Sequence, residues 1–402
     1  MASPVKSLSA RKFFPMLGNR QSRFEKGEAN VPESTDGARS IALALHPERQ
    51  YLKVSEVTER ASDCKSFKLV PDTEKGTEKL AYFGAGKYLT VFETVGGIPI
   101  SRAYSISSSP KNSLEGFYEL TIKRVDGGLM SNYILSNWQV GTSVEVSAPS
   151  GNFEYQPLRD AGTVICLAGG SGITPFISMA NAVDDGDEDF NLVLLYGSRN
   201  PENEIFSKEL KALDSKCNKI KVVHVFSDVN DSILPEGCEK GFITAELIKK
   251  YAPANDKFSI FICGPQQMYN FLDGEIAKLN IEKKYVRREM FGEVHNPSAM
   301  AGYPSNVPET VNITVTVQDE TKTVTGKTCD SVMQILEKNG IAVPARCRSG
   351  ECGFCHSHLI SGEVYIPEQL DYRRMADKDF GCIHPCCTFP LTDLVINVPA
   401  VK

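Results

Sequence analysis

Three cysteines on one short loop limit this chain more than any other feature. Arg346-Cys347-Arg348-Ser349-Gly350-Glu351-Cys352-Gly353-Phe354-Cys355 reads C-x4-C-x2-C, the spacing at which one loop supplies three thiolate corners of a [2Fe–2S] cluster, with a fourth cysteine far downstream. Cys382, Cys386 and Cys387 are the candidates for that fourth corner. Gly350 and Gly353 suit such a loop, because glycine tolerates positive φ and lets backbone N–H groups approach sulfur. The alternative is structural zinc, which usually joins two short knuckles, whereas here three thiolates share one turn. A cluster passes electrons singly, so something upstream must feed it.

The 402 residues are too many for one ordinary domain, and 41% apolar with 23% charged residues describe a soluble globular protein of two or three domains. No long apolar run and no hydrophobic leader with a cleavage site are present, so neither a membrane span nor a signal peptide is expected and a cytoplasmic location is the default. The 12 cysteines then serve a metal centre or stay reduced. A net charge of −6 offers nothing to nucleic acid. Residues 1–27 are basic, with Lys6, Arg11, Lys12, Arg20, Arg23 and Lys26 against Glu25. We read 1–45 as a loose arm, a solvated extension in preference to a tail for an acidic partner. Phe13, Phe14, Met16 and Leu17 leave peripheral membrane contact open.

Residues 46–158 hold short β-prone segments at 51–54, 66–70, 88–92, 117–125 and 143–146, spaced as in an antiparallel β-barrel. Among them lies Arg102-Ala103-Tyr104-Ser105, where an arginine, an aromatic ring and a hydroxyl can meet a phosphate, a flat ring and a ring heteroatom. Trp138 reads as packing. Residues 159–292 alternate strands and helices, which predicts an α/β doubly wound parallel sheet. The apolar run 163–168 leads into Gly169-Gly170-Ser171-Gly172-Ile173-Thr174-Pro175, with Thr174 as helix cap and Pro175 in the first turn. Such a turn presents amides to a pyrophosphate. Ile205, Phe206, Leu210 and Leu213 fit one face of a helix over 205–213, and Met268, Phe271, Leu272, Ile276 and Leu279 fit a core stripe. Asp228, at the end of the strand at 220–226, can accept ribose hydroxyls and repel a 2′-phosphate, which favours NADH; Arg199 argues the other way, toward NADPH. A Pro- and Gly-rich linker spans 293–308. Residues 309–402 read as strand, strand, helix capped by Asp330, cysteine loop and late strands, an α+β β-grasp pattern. His356 and His358 read as surface or packing residues, and His384 as a neighbour of the cluster ligands.

These motifs together resemble the ferredoxin–NADP reductase superfamily over residues 50–402. They are similar to oxygenase reductases of the phthalate dioxygenase reductase and vanillate demethylase reductase type, and to the reductase of the hybrid-cluster protein, all with a C-terminal [2Fe–2S] ferredoxin domain. The resemblance implies that Arg102 contacts the flavin phosphate or pyrophosphate, Tyr104 packs on the isoalloxazine and Ser105 bonds toward N5. It makes Lys123, Gly128, Ser131 and Phe291 flavin residues, with Ser131 near a helix start, and prefers FAD to FMN. It assigns Gly169, Gly170, Gly172, Thr174, Asp228, Gly264 and Pro265 to NADH, and sets Cys263 beside the nicotinamide, so that Ser105 and Cys263 are the catalytic pair. Its fourth cluster ligand lies eight residues ahead of an apolar strand position, which Leu394 matches, and this implies the set Cys347, Cys352, Cys355 and Cys386, with Cys387 in reserve. The implied activity is a reductase passing electrons from NADH through FAD and the cluster to a redox partner protein such as an oxygenase. A flavin reductase acting on a small acceptor such as a quinone, or a redox-sensing module, is the alternative.

Overall fold

The computed structural model describes residue 22 and residues 37–401, apart from 231–233, 255, 291–293 and 295. The basic positions of the arm and Phe291 therefore lie outside the described residues. Gly37–Leu45 forms helix α1, in a unit separate from the one beginning at His46.

Short β-branched and aromatic runs pair into an antiparallel sheet because each buries one face and turns at glycine. Its strands are β1 (Gln50–Ala61), β2 (Cys64–Pro71), β3 (Tyr88–Val95), β4 (Ile98–Ser105), β5 (Tyr118–Lys123) and β6 (Ser143–Val146), in the order β4-β3-β6-β1-β2-β5. A bridge between Ile106 and Leu120 joins the two edges and closes the barrel. Leu52, Phe67, Leu89, Val91, Leu120 and Val146 fill the interior. Trp138 packs edge-on to Phe67 at 5.3 Å and donates its Nε1–H to Glu93 at 2.9 Å, a packing role as expected. The Arg102–Ser105 motif sits on β4, a full strand that sequence reading left unassigned between its neighbours. Gly96 and Gly97, both at positive φ, make the tight turn that pairs β4 with β3. Helices α2 (Pro110–Leu114) and α3 (Leu129–Asn137) complete this region, and α3 lies on β3, β4 and β5.

The second sheet is parallel throughout. Its strands β7 (Thr163–Gly169), β8 (Asn191–Ser198), β9 (Ile220–Phe226), β10 (Glu239–Lys240), β11 (Ser259–Gly264) and β12 (Val286–Met290) run in the order β10-β9-β8-β7-β11-β12. The central strands β7, β8, β9 and β11 are apolar nearly end to end because helices cover both faces, whereas the edge strands β10 and β12 carry charged residues. Helices α4 (Thr174–Asp185) and α5 (Ser207–Lys216) cover one face, and α6 (Ala245–Tyr251) and α7 (Gln266–Ala277) the other. The order reverses between β7 and β11, so a crevice opens at their carboxyl ends. Three local expectations need correction. Thr174 is inside α4, preceded by a 3-10 turn at Gly170–Ile173, and its hydroxyl donates to the Ser171 carbonyl at 3.1 Å. Phe206 adopts a left-handed conformation, so Ile205 and Phe206 are buried ahead of α5 and outside it. Phe271 leaves the stripe on α7 for solvent beside Phe242, while Tyr269 goes inside.

The third region has a mixed sheet of β13 (Thr310–Val317), β14 (Glu320–Lys327), β15 (Ser357–Ser361), β17 (Cys382–Ile383) and β19 (Leu394–Val398), ordered β14-β13-β19-β15-β17. β16 (Val364–Tyr365) pairs with β18 (Phe389–Pro390). Helix α8 (Val332–Lys338) packs Val332, Ile335 and Leu336 against Val311, Ile313 and Ile396, the β-grasp arrangement. Its cap is Ser331, not Asp330: the Ser331 hydroxyl accepts from the Gln334 N–H at 3.2 Å and Gln334 Oε1 from the Ser331 N–H at 2.8 Å, a box worth about 1 kcal/mol. Asp330 instead holds Lys338 at 2.7 Å. A short helix, α9 (Met375–Asp379), crosses near β17. Val294 and Met300 pack into this core, and Tyr365 donates to the Ala301 carbonyl at 2.7 Å. The barrel, the doubly wound sheet and the β-grasp form in the expected order.

Candidate functional site

β4 and β12 bring two regions together at one hydrogen bond. The buried Ser105 hydroxyl donates to Glu289 Oε2 at 3.1 Å. Glu289 stands opposite Cys263 in the β11–β12 register. Tyr269 fixes the turn beside them, accepting from the Gly264 N–H at 3.2 Å and donating to the Glu289 carbonyl. Cys263 is fully buried, and burial, then the charge of Glu289, pushes its thiol well up. Ser105, Cys263 and Glu289 therefore share one dry site. In sequence Glu289-Met290-Phe291 resembles the Glu-x-Phe that closes the nucleotide domain near the flavin in the superfamily, which makes Glu289 a weaker site candidate than Ser105 and Cys263.

Burial pushes the Glu289 carboxyl from its ordinary 4.5 to about 8; the Ser105 hydroxyl opposes the shift and the charge of Glu351 adds to it. At neutral pH the folded chain thus holds a proton that the unfolded chain has released. Stability from this group is complete below about pH 4.5 and is lost as pH rises through about 8. Denaturation midpoints across that window should fall with pH in the native chain, and Glu289→Gln should flatten this slope; an unchanged slope would remove the assignment.

Arg102 and Tyr104 are half-buried on β4, Tyr104 against the barrel core. The Arg102 Nη1 donates to the Ser101 carbonyl at 2.8 Å and lies 3.5 Å from Glu337 Oε2. Lys123 pairs with Asp63 at 3.5 Å. Gly128 caps α3, and any side chain there would meet Ser131 Oγ at 2.8 Å and Val125 Cβ at 2.9 Å. Ser131 is the third residue of α3, and its hydroxyl accepts from the Val125 N–H at 3.2 Å. Gly128 provides no side-chain cap, and the first amides of a helix, which lack intrahelical partners, suit an anion.

Gly169, Gly170, Gly172 and Thr174 lie at the end of β7, and Cys263, Gly264 and Pro265 at the end of β11, so both sets border the crevice. A Cβ on Gly172 would stand 2.1 Å from the Cys263 carbonyl, and one on Gly169 would stand 2.5 Å from Met268 Sδ. Glycine is needed for the two turns to touch. Gly170, at φ +53, faces open space. Asp228 is exposed past β9, and its N–H donates to the Arg199 carbonyl at 2.8 Å, so the two residues that argue opposite nucleotide preferences are neighbours.

The cysteine loop gathers Cys347, Cys352, Cys355 and Cys386. The Cys355 and Cys386 sulfurs are 3.5 Å apart. The Cys347 sulfur accepts from the Ser349 and Cys352 N–H groups at 3.5 and 3.3 Å, and Cys352 from the Phe354 N–H at 3.5 Å. Hydrogen bonds from Cys352, Cys386 and the backbone hold Cys347 well below the usual thiol range. Gly350 and Gly353 both have positive φ. The Cys387 sulfur lies beside that of Cys386 but is turned toward the Leu370 and His384 carbonyls, at 3.6 and 3.5 Å. His384 is buried, its Nδ1 2.7 Å from the Gly350 carbonyl, so it braces the loop.

The loop also meets the first two regions. Thr90 donates to the Arg346 carbonyl at 3.4 Å and Asn152 to Glu351 at 3.2 Å. Glu337 on α8 bonds Arg348 through both carboxylate oxygens and faces Arg102. A cavity of about 30 Å³ is lined by Tyr88, Arg102, Glu289, Cys347, Arg348 and Glu351. No sequence motif marks Tyr88 or Glu337, and Arg348 is only a spacer residue within the cysteine motif.

Three domain families match the chain in the order of its sheets: an oxidoreductase FAD-binding domain over 51–155, an oxidoreductase NAD-binding domain over 166–273 and a 2Fe-2S iron-sulfur cluster binding domain over 315–391. The chain is a flavin- and nicotinamide-dependent oxidoreductase with a 2Fe-2S domain. This oxidoreductase is similar to the glycine betaine monooxygenase reductase subunit of Pseudomonas aeruginosa, 27% identical over 359 residues that cover 87% of this chain and 95% of the relative. It is 28% identical to the ferredoxin reductase component of 3-ketosteroid-9-alpha-monooxygenase from Rhodococcus rhodochrous, over 90% of this chain and 97% of the relative. In fold it is similar to phthalate dioxygenase reductase, with a TM-score of 0.62, 24% identity and coverage of 87% of this chain and 98% of that one. The superfamily resemblance is borne out.

The side chains fit the groups these domains carry. Four converging thiols with amide donors and without a carboxylate or imidazole among them suit an iron–sulfur cluster. Gly169 and Gly172 let the ends of β7 and β11 pack directly on each other, and Gly170 between them borders open space, which suits the close approach of a pyrophosphate.

Proposed function

We propose that this oxidoreductase takes reducing equivalents from NADH and delivers single electrons to a separate oxygenase component in the cytoplasm. When bound, the flavin turns one hydride into single-electron steps and the cluster relays them. The observation that carries the reading is the junction itself: Arg102 on the flavin strand, Glu289 on the last nucleotide strand and Cys347 of the cysteine loop line one cavity. The names of the relatives, reductase parts of two monooxygenases, support an oxygenase as the acceptor.

In this reading Arg102, Lys123, Gly128, Ser131 and Phe291 hold FAD, with Tyr104 against its ring. Ser105 positions the ring edge, and Glu289 keeps a proton against the Ser105 hydroxyl in place of a buried negative charge. Gly169, Gly170, Gly172, Thr174, Gly264 and Pro265 receive NADH, Asp228 takes its ribose and Cys263 aligns the nicotinamide. Cys347, Cys352, Cys355 and Cys386 ligate the cluster. The domains run 46–158, 159–292 and 309–402, and the arm at 1–45 is an extension without a docking role, with peripheral membrane contact as the alternative.

NADH-driven reduction of cytochrome c, a one-electron protein acceptor, tests the route. Cys386→Ser should reduce it to background while ferricyanide reduction persists. Undiminished cytochrome c turnover would mean that electrons leave from the flavin, as in a reductase of small acceptors.

A further inference from the structure

Three of the six histidines, His356, His358 and His384, lie on one short stretch beside a cysteine that the cluster does not use. Cys382 stands opposite His358 in the antiparallel pairing of β15 with β17, which makes the position two residues earlier, His356, its diagonal neighbour on the same face. α9 crosses this face and supplies Asp377. The ligand atoms of His356, Asp377 and Cys382 all lie within 4.8 Å of one another.

Local structure holds each donor in place. Asp377 uses one oxygen to accept the Arg374 N–H at 2.9 Å, which turns the other toward His356 Nε2 at 3.1 Å. Arg373 grips the Cys382 carbonyl at 3.0 Å and is itself tied to Asp371 at 2.8 Å, so the strand carrying Cys382 is braced. Among the described residues the Cys382 sulfur makes one long contact, to the Phe380 carbonyl at 3.8 Å. His384 is committed to the cluster loop and takes no part.

We propose that His356, Asp377 and Cys382 form a second metal site, separate from the four-thiol centre, that binds one borderline divalent cation, Zn2+ foremost. One imidazole, one carboxylate and one thiol select against Mg2+ and Ca2+, which require oxygen, and match the donor types and number of an open zinc site. Donors around a tetrahedral zinc stand roughly 3.3–3.8 Å apart, a closure within reach of the exposed His356 side chain. His358, exposed on the same face, or water completes the coordination. A cation there cross-links α9 to β15 and β17.

The test uses the full chain loaded with flavin and cluster, dialysed against zinc chloride and examined by zinc-edge X-ray absorption with metal analysis. One zinc per chain is expected, with a single sulfur at about 2.3 Å and nitrogen or oxygen at about 2.0 Å. Cys382→Ser and His356→Ala should each weaken zinc binding roughly tenfold or more, with iron content and the cluster EPR signal unchanged. Absence of retained zinc, a shell without sulfur, affinity unchanged in both variants, or zinc uptake matched by iron loss would each overturn the proposal. The first would leave His356 and Asp377 as a plain ion pair, and the last would place zinc at the cluster cysteines.

Discussion

Cys386→Ser is expected to abolish the EPR signal of the reduced cluster, whereas Cys387→Ser keeps it. The two cysteines are adjacent, yet the short 3-10 turn at Pro385–Cys387 sends their sulfurs to different surroundings. Cys386 reaches Cys355 at 3.5 Å, and hydrogen bonds with Cys347, Cys355 and Cys387 raise its thiol well above the usual range. Those contacts describe thiols crowded round a common centre, and a bound metal ion would deprotonate them. Cys387 touches Cys386 alone of these sulfurs; it donates to two backbone carbonyls, and its sulfur fills the space where a Gly350 Cβ would meet it at 2.8 Å. Cys387→Ser should therefore show at most a modest loss of stability. Loss of the signal in Cys387→Ser with its retention in Cys386→Ser would reverse the assignment.

Glu337→Ala should destabilise the ferredoxin region by about 3–5 kcal/mol, the cost of removing one partner of a buried ion pair. Arg348 is only 2% exposed and holds Glu337 through two hydrogen bonds. A second arginine, Arg102 on β4, lies 3.5 Å from the same carboxylate. The loss should also free the cysteine loop from the flavin strand, so cluster reduction by NADH should slow while flavin reduction does not. Urea unfolding followed by cluster absorbance gives the stability, and rapid mixing gives the two rates. A shift below about 1 kcal/mol would class the pair with exposed salt bridges of little consequence.

Much of this architecture was legible because the motifs are local. The strands at 143–146, 220–226 and 394–398 have the bounds read from β-branched runs, and the cysteine spacing leads to a loop that the fold bends round its sulfurs. Local competition explains the misplacements: Ser331 with Gln334 makes a reciprocal box that Asp330 cannot match, and a 3-10 turn displaces Thr174 from the cap of α4. The missed residues depend on tertiary contact. In sequence Glu337 looks like the solvated face of a short helix, and only the approach of β4 and the cysteine loop turns it inward. Glu289 owes its proton to burial between two sheets more than 100 residues apart in sequence, as its hydrogen bond to Ser105 shows.

The central claim is a continuous path from nicotinamide to cluster within one chain. An anaerobic NADH titration, followed by visible absorption and low-temperature EPR, tests it most directly. The account predicts that flavin bleaching is accompanied by the signal of a reduced [2Fe–2S] cluster, and that both are complete at about 1.5 NADH per chain, since the flavin takes two electrons and the cluster one. Bleached flavin beside a cluster that stays oxidised would contradict it.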